Sequence, residues 1–363
     1  MKRMITGMAA VIIAAILFLP IKVWAVSAEH AILMDAATGR VLYERAADAR
    51  SLIASTTKIM TALVVCEQCN VLDRMRIPKE AVGIEGSSMY LREGEVLTIQ
   101  ELLYGLMLQS GNDAAVALAI YCGGTVEGFA ELMNDKARQL GLSGTHFVNP
   151  HGLDAPEHYS TARDLAVLAS YAMENPIFAG TVSAKTVKIG QRCLSNHNKL
   201  LWRFDGADGV KTGFTKAAGR ILVSSAVRDG RRLVCVTINA PDDWNDHRTL
   251  LEDGFSRYRQ QTLVHAGDKL GTVEVLGGVT GHVHVLADDD FEYPLAEGEH
   301  VTIQLPPVLF AYAPVAWGQR AGWAHILVDG NAVGKVPLLY GETVEKKPEP
   351  EPSIWEKLFG GAS

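Results

Sequence analysis

Three short motifs carry hydroxyl, amine and amide groups of the kind acyl transfer needs: Ser55-Thr56-Thr57-Lys58, Ser110-Gly111-Asn112 and Lys211-Thr212-Gly213, each present once and in that order. A serine hydroxyl becomes a nucleophile only when a neighbour takes its proton. A lysine three residues later on a helix lies on the same face, within reach of the serine oxygen. Ser55 and Lys58 are therefore the candidate nucleophile and base. Lys58 must be neutral for that role; burial and a second nearby cation both lower a lysine pKa, and Lys211 can supply the cation.

The other motifs supply the remaining groups. Ser110 offers a second hydroxyl to pass a proton to the leaving amine, and Asn112 an amide to hold a substrate amide. Lys211 and Thr212 suit a substrate carboxylate, and Gly213 removes a side chain where a peptide would approach the backbone. The backbone N–H near Phe214, with that of Ser55, would form an oxyanion hole worth about 3 to 4 kcal/mol per donor. Each motif alone has a plainer reading: a helix cap followed by a surface lysine, a turn, and a strand that ends in a turn. The ordered triple favours the chemical reading.

No rival chemistry competes. His151, His158 and His197 lie in polar or turn-like stretches without a nucleophile partner, and read as surface residues or residues behind the site. No His-Glu-x-x-His motif occurs, so neither a metal nor a cofactor is expected.

The elements that must hold these groups are readable from periodicity. Residues 31–34 and 41–43 form two apolar runs around a turn-rich Asp35–Arg40 stretch, a hairpin. Ser55 to Cys66 is apolar nearly all round, the pattern of a helix in the interior. Thr98-Ile99-Gln100-Glu101 has the capping-box form, and Thr161-Ala162-Arg163-Asp164 repeats the pattern. Asp113 opens another apolar helix, so Ser110-Gly111-Asn112 is a loop pinned between two helices. From residue 209 the period changes to strand-length runs at 210–214, 221–227 and 233–238, the last two joined by a turn at Asp229-Gly230. The expected fold class is α+β: an antiparallel sheet of about five strands sandwiched by helices, followed by a small all-β domain of short, regularly spaced runs.

Bulk properties frame that fold. Lys2 and Arg3, the apolar run Met4 to Leu19 and the small-residue stretch ending at Ala25 or Ala28 read as a secretory signal peptide, so the chain is expected outside the cytoplasm. Lys2, Arg3 and Lys22 leave with that leader and no acidic residue does, so 34 basic residues fall to 31 against 41 acidic ones, and a nucleic-acid partner is not expected. The expected organisation is 1–28 signal peptide, 29–261 catalytic domain, 262–341 small β-sandwich-like domain, and 342–363 linker and tail. Ile354, Trp355, Leu358 and Phe359 share one face of a short terminal helix, readable either as a weak peripheral membrane contact or as a frayed terminus. Five cysteines imply no disulfide framework, and Cys66-x-x-Cys69 reads as packing.

The chain resembles the penicillin-binding-protein and serine β-lactamase superfamily, and within it the low-molecular-mass D-alanyl-D-alanine carboxypeptidases. Beyond the triple, the resemblance rests on Phe147-Val148-Asn149-Pro150-His151-Gly152-Leu153, Ser160 to Leu165, Asn196 to Leu201 and Asp208 to Thr215. It implies a β-lactamase/transpeptidase-like fold and an acyl-enzyme on Ser55, formed with the penultimate D-alanine of a peptidoglycan stem pentapeptide. β-Lactams would acylate the same serine. Lys58 corresponds to the base, Ser110 and Asn112 to the second motif, and Lys211, Thr212 and Gly213 to the third. No Glu-x-x-x-Asn element lies between Asn112 and Lys211, which disfavours fast β-lactam hydrolysis. The alternatives are a D,D-endopeptidase acting on cross-links and a non-catalytic wall-binding protein.

Overall fold

The computed structural model describes residues 26–307 and 310–349. Most of the expected leader and the Ile354–Phe359 tail lie outside the described residues. The chain forms two compact units: one holds residues up to 34, 43–226 and 234–250, the other 35–42, 227–233 and 251 onward.

The central sheet has five strands: β1 (His30–Asp35), β2 (Val41–Arg45), β7 (Ala207–Thr215), β8 (Gly219–Arg228) and β9 (Arg231–Ile238), in the order β2-β1-β9-β8-β7. β7 is an edge strand, antiparallel to β8 with Phe214 opposite Arg220. Asp229 and Gly230 between β8 and β9 both take positive φ, 50° and 77°, as the Asp-Gly hairpin signal requires. Residues 26–28 already belong to the fold: Val26 and Ala28 are buried, and the Ser27 hydroxyl donates to Asp246 Oδ2 at 2.7 Å.

Helices flank this sheet. They are α1 (Lys58–Gln68), α2 (Ile99–Leu108), α3 (Asn112–Gly123), α4 (Val126–Gln139), α5 (Ala162–Ala172), α6 (Pro176–Ser183), the short α7 (Leu200–Arg203) and α8 (Asp243–Arg257). α1 is buried on all sides from Lys58 to Cys66, as its composition predicts. Thr98 and Glu101 close a reciprocal capping box on α2. At α5 the pattern is met by half: Thr161 caps the Asp164 N–H, while the Asp164 carboxylate turns away to the Gly144 N–H and the Thr145 hydroxyl. The largely helical middle of the chain also holds two small hairpins, β3 (Arg74–Arg76) with β4 (Val96–Thr98) and β5 (Thr186–Ile189) with β6 (Arg192–Ser195). No single described helix is long and apolar enough to cross a membrane.

Beyond α8 the regular elements among the described residues are all strands. β10 (Tyr258–Val264) pairs with β13 (Phe291–Ala296). A six-stranded sheet is built from β11 (Lys269–Leu276), β12 (His282–Ala287), β14 (Val301–Gln304), β15 (Phe310–Tyr312), β16 (Arg320–Val328) and β17 (Asn331–Tyr340). Alternation places Val273, Val275, Val283 and Val285 in one core, and Val264, Ala287, Ile326 and Val336 in a second.

Candidate active site

Ser55 stands in a 3-10 turn, Ala54–Thr57, immediately before α1. The threonines around it fix the turn: Thr56 Oγ1 donates to Ile53 O at 2.6 Å and Thr57 Oγ1 to Ala54 O at 2.8 Å. Such back-bonding is what Ser and Thr hydroxyls do at helix starts. Behind the turn the buried His158 ring meets Thr57 Oγ1 through Nε2 at 2.8 Å and accepts the Val148 N–H on Nδ1 at 3.1 Å. Both ring nitrogens are spent on a neutral imidazole, and burial lowers the His158 pKa to about 4.

Lys58 opens α1 and is fully buried. Its Nζ lies 3.0 Å from Ser55 Oγ, 2.7 Å from Asn112 Oδ1 and 2.6 Å from His151 O. Burial is the main force that drives its pKa well below the ordinary lysine value; the field of Lys211 adds to the shift and Asp113 opposes it. A neutral amine has two N–H bonds and one lone pair. The Asn112 amide oxygen and the His151 carbonyl are fixed acceptors for the two N–H bonds, which leaves the lone pair for the Ser55 hydroxyl.

Local chemistry places both acceptors. Asn112 is the first residue of α3, its backbone N–H donates to Ser87 O and its Nδ2 to Glu85 O, so both ends of its amide are engaged within the protein. The His151 carbonyl is presented by a loop that Asn149 braces: Asn149 Oδ1 accepts the Gly152 N–H at 2.7 Å and Nδ2 donates to Leu153 O. Thr61 Oγ1 on α1 ties the same loop through Pro150 O at 2.7 Å. Gly152, with φ +88°, must be glycine, because a Cβ there would lie 1.9 Å from Ala54 O.

Ser110 sits between α2 and α3 with φ 60°. Its Oγ is buried and has no hydrogen-bond partner among the described residues, although it lines the same cleft as Ser55. A buried hydroxyl left unpaired is available to a substrate.

Lys211, Thr212, Gly213 and Phe214 all lie on β7. Lys211 is buried, donates to Thr212 O at 2.8 Å, and has a pKa that burial lowers to about 7. Thr212, Gly213 and Phe214 line the cleft, Phe214 being 64% exposed. At Gly213 a Cβ would meet Ile53 O at 3.2 Å and the Thr56 N–H at 3.3 Å. Its small size thus lets β7 lie against the turn that bears Ser55, a packing reason the sequence did not disclose.

The cleft encloses about 340 Å³. Sequence reasoning missed part of its wall: Ser87, Lys199, Arg220, Asp243 and Trp244. His197, read as a surface residue or one behind the site, is exposed and lines it. Arg220 Nη2 is held by the buried Asp243 carboxylate at 2.7 and 2.9 Å, so the polar stretch 242–248 is the start of α8 and helps to shape the cleft. Within it the buried His247 bridges Ser224 Oγ and Thr237 Oγ1 at 2.6 and 2.9 Å, fastening α8 to the sheet.

Residues 19–242 match the peptidase S11 family, described as D-alanyl-D-alanine carboxypeptidase, and residues 258–346 match the C-terminal domain of penicillin-binding protein 5. The chain is 32% identical to D-alanyl-D-alanine carboxypeptidase DacF of Bacillus subtilis over 88% of its own length and 86% of the relative's. It is 34% identical to D-alanyl-D-alanine carboxypeptidase DacC of Escherichia coli, over 88% of this chain and 85% of that one. Its fold is similar to penicillin-binding protein 5 of Haemophilus influenzae, with a TM-score of 0.76 at 30% identity, over 88% of this chain and 98% of the other.

Proposed function

Because this chain belongs to the peptidase S11 family of D-alanyl-D-alanine carboxypeptidases, we propose that it is a serine-type D,D-carboxypeptidase that trims peptidoglycan stem pentapeptides through an ester on Ser55. One observation carries the residue assignment: Lys58 Nζ is 3.0 Å from Ser55 Oγ while two fixed acceptors occupy its other directions. The lone pair takes the Ser55 proton as Oγ attacks the carbonyl carbon of the penultimate D-alanine. Charge that develops on the carbonyl oxygen meets the backbone N–H groups of Ser55 and Phe214. The unpaired Ser110 hydroxyl passes a proton to the departing D-alanine nitrogen, and water then hydrolyses the ester.

The remaining residues bind and tune. The stem peptide lies in extended form along the exposed edge of β7, where the main chain near Thr212 pairs with it. Thr212, Phe214 and the Asp243-held Arg220 face the substrate's terminal D-alanine and its free carboxylate. Asn112 and Lys211, both turned inward, act on Lys58: Asn112 by aiming it and Lys211 by lowering its pKa. β-Lactams acylate Ser55 as substrate mimics.

Like its cell-wall relatives the enzyme is exported. A leader cut after Ala25 keeps the Ser27–Asp246 contact, and N-terminal sequencing of the exported protein would read Val26; a start at Glu29 would refute that boundary. Activity is tested with a pentapeptide ending in D-Ala-D-Ala and with a cross-linked dimer. D-alanine released only from the pentapeptide supports the carboxypeptidase. Cleavage of the dimer instead makes the enzyme an endopeptidase, and no turnover of either makes it a binding protein.

A further inference from the structure

The helices that begin at Lys58 and Asn112 also meet at their far ends. α1 is capped at its C-terminus by Cys69, α3 carries Cys122 in its last turn, and the two thiols are close enough to interact. From Lys58 to Cys69 is eleven positions and from Asn112 to Cys122 is ten. At about 1.5 Å per residue the two spans are equal to within about one residue. A pair of neighbouring helices running in the same direction is thus joined by the Lys58–Asn112 hydrogen bond at one end and by the thiol pair at the other. A second brace sits beside the thiols, where the Tyr121 hydroxyl donates to Asp73 Oδ2 at 2.8 Å.

The other cysteines are differently placed. Cys66 and Cys235 are buried, and burial pushes the Cys66 thiol up to about 12. Cys193 lies exposed on β6. Cys69 and Cys122 are both half-buried, so a reagent can reach them.

We propose that Cys69 and Cys122 are a dithiol site that a disulfide oxidant, small-molecule or protein, closes into a Cys69–Cys122 bond. The interaction between the two thiols raises the Cys69 pKa and lowers that of Cys122. Cys122 is therefore the attacking sulfur. It displaces one thiolate from the oxidant and forms a mixed disulfide. The Cys69 sulfur then attacks Cys122 Sγ and expels the second thiolate; the two cysteine protons go to the two released thiols, and two electrons pass from protein to oxidant. The bond would hold covalently the far ends of the helices whose near ends position the amine and its acceptor.

The test uses the full chain oxidised with glutathione disulfide near pH 8, its free thiols then blocked by alkylation. A glutamyl protease cuts after Glu67 and so separates Cys66 from Cys69. The expected product is a Cys69–Cys122 linked peptide that disappears on reduction. Reduction should also lower the melting midpoint of the oxidised wild type, on the order of 10 °C, and leave that of Cys122→Ser unchanged. Alkylation of both Cys69 and Cys122 after oxidation, or a Cys66–Cys69 link in their place, would overturn the proposal. A Cys69–Cys122 link whose reduction leaves the midpoint unmoved would overturn its structural role.

Discussion

Lys58 Nζ and Asn112 Oδ1 meet at 2.7 Å, each side chain leaving the first residue of its own helix. Together with the His151 carbonyl, this contact decides where a neutral Lys58 can point its lone pair. Asn112→Ala removes one of the two acceptors and frees the amine to turn. The acylation rate by a penicillin should fall about 10²-fold, in line with the contribution of a positioned base, while the fold persists. Stopped-flow acylation checks this, and a rate within twofold of wild type would show that Asn112 does not aim the amine.

The Ser110 hydroxyl makes no hydrogen bond among the described residues, so its removal costs the resting protein little. Ser110→Ala should leave the melting midpoint within about 2 °C of wild type, because no protein partner is orphaned. Peptide turnover should drop about 10²-fold or more through loss of the proton relay. An unchanged kcat on a D-Ala-D-Ala peptide would remove Ser110 from the reaction.

The pH dependence follows from depressed pKa values. Lys58 is neutral above its lowered pKa, so acylation is present there and is lost as pH falls through it. Stability has a separate acid limb from His158, whose pKa falls from the ordinary 6.5 to about 4. Between those values the unfolded chain binds the extra proton, so the contribution is full above pH 6.5 and is lost as pH falls toward 4. The loss amounts to about 3 kcal/mol. Urea unfolding at pH 7 and pH 4.5 checks it: His158→Gln should lose less stability across that interval than wild type, and an equal loss would contradict the assignment.

Arg220 concerns binding. It lines the cleft beside Thr212 and Phe214 and is fixed by Asp243, which suits it to a free carboxylate. Arg220→Gln should raise KM for a D-Ala-D-Ala acid about tenfold and leave that for the C-terminal amide nearly unchanged. Equal effects on acid and amide would assign Arg220 a purely structural role.

How much of this was legible in the sequence varied with the kind of interaction. The Thr98–Glu101 capping box, the Asp229-Gly230 hairpin and the interior helix after Ser55 are local patterns, and each appears as read. The five-stranded sheet was legible because its strands are short apolar runs bounded by turn residues, and its inner strands are buried on both faces. Contacts between distant segments were not. The His151 acceptor is a backbone carbonyl, which no residue type announces, and Arg220 met Asp243 only through the packing of α8 on the sheet. Gly213 was read as leaving room for a substrate at the strand, whereas its packing against Ile53 and Thr56 depends on two segments that come together only in three dimensions. Cys69 and Cys122 likewise lie far apart in the chain and adjoin only because two helices of matched length run side by side.

Mass spectrometry of the intact, quenched enzyme after brief exposure to a D-Ala-D-Ala peptide or a penicillin tests the nucleophile most directly. An adduct mapped to the peptide that contains Ser55, and absent from Ser55→Ala, is the predicted result. An adduct on another residue, or equal labelling of Ser55→Ala, would contradict it.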